Sequence, residues 1–438
     1  MLYYFNITCI ACVGVFICFA PLFAYEDVSY IKAGSFQMGS DDGQVDEAPM
    51  HLEWISAFYI DRFEISIREW NLVTSLASQN GYSFSEAQQF PKRGPGWYTD
   101  ADRLDFPMNM ISWFDAVKWC NARSEFMGRL PLYYDPLTNE IIKDQQLTSS
   151  SLINVYWNRS GYRLPTEAEW EKAARGVAAG YKFPWGNSID GSMANYKLSG
   201  DPFDNGSSPR GYFNGKQQII KKDFSFGGEN RTPPDRKNFY NLYDVVGNVS
   251  EWCWNWYDEG WYKNSKNTGR DDRGPDLEDL STSQPARVHR GGGFSADNSG
   301  ESGEPLRIAF RHVGYPDEFS TDRGIRTVRG DFHDPLWADA EATNYGNWLF
   351  LSWLGYFYQI ESDWTFLPIK GWVYPVGHGS YDNWLYFYEL DSWLWTSKYV
   401  YPWHYDNGSK TWLEFKFDAE DGARFVSEDM SVELILEH

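Results

Sequence analysis

Three groups of residues have types and spacings suited to chemistry. The stretch RVHRGGGFSADNSGESGEPLRIAFRH (287–312) sets three glycines ahead of small and acidic residues and places His289 and His312 at its flanks. Glycines allow tight turns and close approach of a ligand to the backbone, so this loop has the form of a site floor. The two histidines read as satisfied surface or core residues. The stretch YDVVGNVSE (243–251) places Asp244 and Glu251 on either side of Gly247. Carboxylates and backbone carbonyls wrapped around a glycine match the oxygen shell of calcium, and a solvated acidic turn has the same composition. The cysteines are Cys9, Cys12, Cys18, Cys120 and Cys253. They form no paired CxxC units, which excludes a cysteine zinc site.

Composition narrows the function classes. The chain has 438 residues, enough for two or more domains and a large core. Lys and Arg number 39 against 61 Asp and Glu, a net charge of −22. Such a surface repels phosphate backbones and favours divalent cations, so no nucleic-acid partner is expected. Aromatic residues make up 18% of the chain, too many for a disordered acidic tail. The first 24 residues carry no charge, and residues 8–23 (TCIACVGVFICFAPLF) are apolar and interrupted by Pro21. That predicts a signal peptide over 1–24, although without the usual basic start, with export to the periplasm or outside the cell and no membrane span after cleavage; an uncleaved anchor is the alternative. Cys120 and Cys253 then remain, as a disulfide or as two buried thiols.

The elements that must position these groups are legible from their caps. SIREWNLVTSLASQNG opens with Ser66 and Glu69 in capping-box spacing and stops at Gly81. SWFDAVKWCNARSE repeats the device with Ser112 and Asp115. PTEAEWEKAARG starts at Thr166 with Glu169, places Lys172 and Arg175 in its last turn, and ends at Gly176. Its Trp170, Ala173 and Ala174 share one buried face. FQMGS and FYIDRFEIS alternate as strands do. Residues 186–240 are polar and turn-rich, so something besides regular ladders must order them, and bound metal is one candidate.

Beyond residue 330 the composition changes. Residues 331–438 hold ten of the 22 tryptophans, and NWLFLSWLGYFYQ, DWTFLPIKGWVYPVG, NWLYFYELDSWLWTS and TWLEFKF recur as one unit. Alternating apolar and polar residues between Gly, Asp or Asn turns predict a separate all-β domain of stacked hairpins. Tryptophans in such an array either pack hairpin on hairpin or stack on sugars. The sugar-stacking candidates are Trp372, Trp384 and Trp403, beside Tyr374, Tyr386 and Tyr401.

The region before it resembles the formylglycine-generating enzyme family, also called sulfatase-modifying factor domains. The motifs that carry the resemblance run in order: FQMGS, EAPMH, FYIDRFEISIREW, ISWFDAVKWCNARSE, GYRLPTEAEWEKAARG, FPWGN, MANY, NLYDVVGNVSEWCWNWY, RVHRGGGF and RGIRTVR. The resemblance implies an α+β fold with little regular structure, related to C-type lectins, over residues 25–330. It also implies an oxidase that converts a sulfatase cysteine to formylglycine with copper held by two cysteines. Those cysteines fall at Ala296 and Glu301 here, Gly293 replaces a serine, and Ser250 replaces a tryptophan. Copper(I) requires soft thiolates, and no cysteine follows residue 253, so copper is not expected.

The calcium pattern of the family is intact. It maps onto the Asp244 and Glu251 side chains and the Gly247 and Val249 carbonyls, with a second site beginning at Asn195 and the Tyr196 carbonyl. Cys120 and Cys253 lie in motif segments that the resemblance places in a packed core, and a disulfide between them is expected. The combined expectation is a secreted or envelope-located pseudoenzyme, stabilised by calcium, that binds a protein or a polysaccharide. The competing expectation is a formylglycine-generating oxidase acting on a protein cysteine with an altered site.

Overall fold

The computed structural model describes residues 27–436 except 86–102, 146, 149–150, 178–179, 204–205, 217–233, 265, 268, 298–303, 332–336, 338–339, 344–347, 360–363, 378–381, 399 and 419–421. The expected leader lies outside the described residues. Among the described residues no helix is long and apolar enough to cross a membrane.

All three capped helices form. They are α1 (Ile67–Ala77), α2 (Trp113–Phe126) and α3 (Glu167–Arg175). Ser66 and Thr166 make reciprocal capping boxes with Glu69 and Glu169, and the Ser112 hydroxyl accepts the Asp115 N–H. The helices pack among small sheets. One four-stranded sheet joins Val28–Ile31, Phe58–Asp61, Val328–Gly330 and Tyr162–Arg163, all antiparallel. A second joins His312–Gly314, Arg287–Arg290, Ser250–Trp256 and Arg323–Gly324, the last pair parallel. The apolar core divides in two. One cluster gathers α1 and α2 around Trp70, Trp113 and Trp119, and the other gathers α3 around Trp170, Cys253 and Val288.

Helix α3 departs from the amphipathic expectation. Every one of its nine residues is buried, charged ones included. Its polar face is enclosed because its charges meet partners, some local and some distant in sequence. Glu167 pairs with Arg311 at 2.7 Å, Glu169 with Arg163 at 2.6 Å, and Glu171 with Arg290. The Lys172 ammonium donates to the Gly34 carbonyl at 2.7 Å. Buried pairs of this kind organise the irregular chain, since losing one partner strands the other without water.

Residues 341–436 build one antiparallel sheet of eleven strands laid down in chain order, Glu341–Ala342 at one edge and Glu433–Leu436 at the other. The hairpins join edge to edge in a single sheet, where the repeat pattern predicts stacking. Strand alternation sends Phe357, Val373, Leu385, Phe387, Leu394, Leu413 and Phe425 to one buried face. The sheet curls around that face. Phe387 and Phe425 meet at 5.0 Å between centroids, although three strands separate theirs. The outer face carries rings in cross-strand register: Trp384 opposite Trp395, Trp395 opposite Tyr405, and Tyr405 opposite Trp412.

Candidate functional site

The glycine loop leaves the strand Arg287–Arg290 and runs beside Asp322. An added Cβ at Gly293 would come within 2.5 Å of the Asp322 carbonyl oxygen, so this chain has no room for a serine there. The Ser295 hydroxyl donates to the Asp322 carboxylate. Ala296 lies half-buried against the second core cluster, and its carbonyl accepts from the Lys197 N–H at 3.2 Å. A methyl group offers no electron pair to a metal, so the described loop does not fit copper. Glu301 falls outside the described residues. Ser250, in place of the tryptophan, turns its hydroxyl to the Asp322 carbonyl at 3.1 Å.

The flanking histidines stack face to face at 5.0 Å, and both are half-buried. Burial pushes His312 down to about 4 and His289 well below its ordinary value, so both rings are neutral at pH 7. The His312 Nε2 bonds the Pro305 carbonyl at 2.7 Å, as expected of a satisfied core histidine. His289 bonds the Val313 backbone, while its Nδ1 has no hydrogen-bond partner among the described residues.

The disulfide expectation is corrected. Cys120 and Cys253 are both free, buried thiols. Cys120 lies within the first core cluster, on α2, and Cys253 within the second, on the strand Ser250–Trp256. Each is packed by its own cluster, and the Trp113 indole N–H reaches the Cys253 carbonyl at 2.8 Å. Burial raises both thiol pKa values.

The segment Asp244–Glu251 holds the chemistry that the sequence marked, with additions. Gly247 adopts φ +79°, and an added Cβ would sit 2.3 Å from the Asn195 carbonyl oxygen. Glycine thus lets the two expected calcium segments touch, and the Asn248 N–H donates to that carbonyl at 2.8 Å. Among the described residues no donor reaches the Gly247 or Val249 carbonyl oxygens. The half-buried Asp244 carboxylate accepts the Gly211 N–H, and desolvation pushes its pKa up to about 6. Glu251 is less available than expected. It pairs with Arg326 at 2.8 Å and accepts the Trp170 indole N–H at 2.7 Å.

Glu64, which reads from sequence only as a strand residue, is fully buried beside this segment. It accepts from the Val249 N–H at 3.0 Å and the Asn248 amide at 2.6 Å, and burial raises its pKa strongly. Three carboxylates therefore surround one guanidinium, Arg326, whose only sequence signal is the motif RGIRTVR. Among the described residues no three acidic, histidine or cysteine side chains are grouped closely enough to hold a metal ion by themselves, so a hard cation here would draw on the two undonated carbonyls together with part of this carboxylate group. Asn195 Oδ1 is likewise buried without a partner among the described residues, while the Tyr196 carbonyl already accepts from the Ser199 N–H at 3.0 Å.

The small sheets, the caps and the 244–251 segment define a domain of the formylglycine-generating type. The model of the family described as "Sulfatase-modifying factor enzyme 1-like domain" matches residues 20–331. The chain belongs to this family. A Paenibacillus barcinonensis protein named Chaperone protein LppX is 25% identical over 315 residues, 69% of this chain and 89% of its own. The Formylglycine-generating enzyme of Thermomonospora curvata is 28% identical over 330 residues, covering 70% and 93% of the two chains. The Inactive C-alpha-formylglycine-generating enzyme 2 of Bos taurus is 26% identical over 340 residues, covering 70% and 88%. Among solved structures, Treponema denticola variable protein 1 is 23% identical, with a TM-score of 0.49 over 69% of this chain and 94% of that one.

On the outer face of the C-terminal sheet, Trp372 is 38% exposed, and Trp393 and Trp412 are each 41% exposed. Trp384 and Trp403 are half-buried on the same face, as are Tyr374 and Tyr386. Tyr401 instead packs against the inner cluster and leaves the expected stacking set.

Proposed function

We propose that this chain is a non-catalytic binding member of its family, exported from the cell and stabilised by calcium. The observation that carries the reading is Ala296, an alanine where the family's chemistry needs a thiolate, in a loop packed onto Asp322. A relative whose printed name marks it inactive, and another named a chaperone, support a role without oxidation. In this reading residues 25–330 form a C-type-lectin-related scaffold, with Asp244, Glu251 and the Gly247 and Val249 carbonyls holding calcium, and Asn195 opening a second site. Residues 331–438 form a distinct unit whose outer rings, Trp372, Trp384 and Trp403 among them, stack on a polysaccharide.

The test supplies copper(I) and a Cys-x-Pro-x-Arg peptide to the purified protein, then measures metal stoichiometry and oxygen uptake. Neither stoichiometric copper nor oxygen consumption is expected. Tight one-to-one copper binding with peptide-dependent oxygen uptake would establish the oxidase instead.

A further inference from the structure

An open pocket of ≈ 240 Å³ lies beside the turn Leu367–Lys370 of the C-terminal sheet, with Tyr356 and Ile369 at its exposed edge. Its walls include Leu354, Leu367 and Phe415, and Lys370 and Tyr401 supply the polar groups. Lys370 ends the turn Leu367–Lys370, closed by the Lys370 N–H on the Leu367 carbonyl at 3.0 Å. Ile369, a β-branched residue at φ +71°, occupies the turn position that glycine normally fills. The strain is local, and the side chain that follows it is unusual. Lysines generally extend their ammonium to water, yet Lys370 is only 4% exposed.

Its ammonium donates to the Tyr401 hydroxyl at 3.1 Å and stands 4.4 Å from the Tyr401 ring centre and 4.2 Å from that of Phe415. Among the described residues no carboxylate pairs with it. The neighbouring polar group, His404, is a second base, with Nδ1 on the Pro402 carbonyl and Nε2 without a partner among the described residues. Burial pushes Lys370 down to about 7, with no acid opposing the shift. At pH 7 this amine is therefore divided between its neutral and protonated forms, and a chain of net charge −22 holds it in an apolar pocket without an internal counter-ion among the described residues, so a bound anion would favour the protonated form.

We propose that this pocket binds a small organic monocarboxylate, its carboxylate on Lys370 and Tyr401 and its apolar body against Leu354, Leu367 and Phe415. An ammonium has three donors and Tyr401 takes one, so two remain for an incoming anion. The apolar walls select against a fully polar ligand such as phosphate, whose remaining oxygens would lose water without replacement. Since a cavity of about 150 Å³ accommodates benzene, the space here suits a body of about ten non-hydrogen atoms. Octanoate has that size.

Calorimetric titration of the full chain at pH 7 with octanoate and with octan-1-ol tests the site without any substitution. Octanoate is expected to bind roughly 10- to 100-fold more tightly, the range for a charge-assisted bond in a desolvated site. In Lys370→Met, which removes the buried charge at similar volume, the two ligands should bind equally, with an unchanged circular-dichroism melt. Lys370→Arg should retain the preference for the acid. No octanoate binding, equal affinity for acid and alcohol in the parent chain, or an undiminished preference in a folded Lys370→Met would each overturn the proposal.

Discussion

Glu53 is fully buried, its Oε2 lacks a hydrogen-bond partner among the described residues, and Asp271 and Asp272 stand beside it. Burial first, and those neighbours second, raise its pKa from 4.5 to about 7. The folded chain therefore holds this proton more tightly than the unfolded chain. Its contribution is complete below about pH 4 and is lost as pH rises toward 7, by roughly 3 kcal/mol at 1.36 kcal/mol per unit. Glu53→Gln should flatten the fall of melting temperature between pH 4 and 8 and raise stability at pH 8. Identical slopes in parent and variant would dismiss Glu53 as the source. The two cysteines give a second residue-level expectation. Buried and shifted upward, they should resist thiol reagents until the chain unfolds, and dithiothreitol should leave the melting temperature unchanged. Sequence placed both residues in packed segments correctly, but a count of cysteines carries no information on the distance between them.

At the level of elements, local signals were the readable ones. Ser66, Ser112 and Thr166 cap where their spacing to Glu69, Asp115 and Glu169 predicts, because capping is decided within four residues. The enclosure of the polar face of α3 was not readable, since Arg290 and Arg311 arrive from more than a hundred positions away. The same holds for Glu251, whose carboxylate reads as a metal ligand until Arg326 is brought onto it. Glu251→Ala removes the carboxylate that binds both the Arg326 guanidinium and the Trp170 indole, leaving Arg326 to its backbone acceptors and to the more distant Glu64 and Asp244, and a loss of about 3 kcal/mol in denaturant unfolding is expected. Calcium is tested on the segment as a whole. Chelation should lower the melting temperature by an amount set by free calcium over its dissociation constant, about 2.7 kcal/mol at a hundredfold excess. Asp244→Ala should remove that response while the domain still folds. A melt indifferent to chelator would dispose of the calcium proposal.

For the whole molecule, the change of composition near residue 330 coincides with a change from small mixed sheets to one curled sheet with its own buried cluster. Residues 331–438 expressed alone should fold, and their tryptophan fluorescence should shift with a bound polysaccharide, while 25–330 should show no such binding. A fragment that folds but leaves every glycan in solution would restrict the rings to packing. The alternation of ring and aliphatic residues was visible in sequence. The curl was not, because it depends on contacts such as Phe387 with Phe425 across three strands. The order of the strands carries a further consequence. Each interior strand pairs only with the strands before and after it in the chain. A duplicated or deleted hairpin, two strands at a time, would keep strand direction and the inward and outward sides of every residue. Each such event would lengthen or shorten the ring-bearing surface by about 9–10 Å, two strand spacings. Unequal recombination within the coding sequence of this region can therefore adjust its reach in discrete steps, without redesigning the residues on either side.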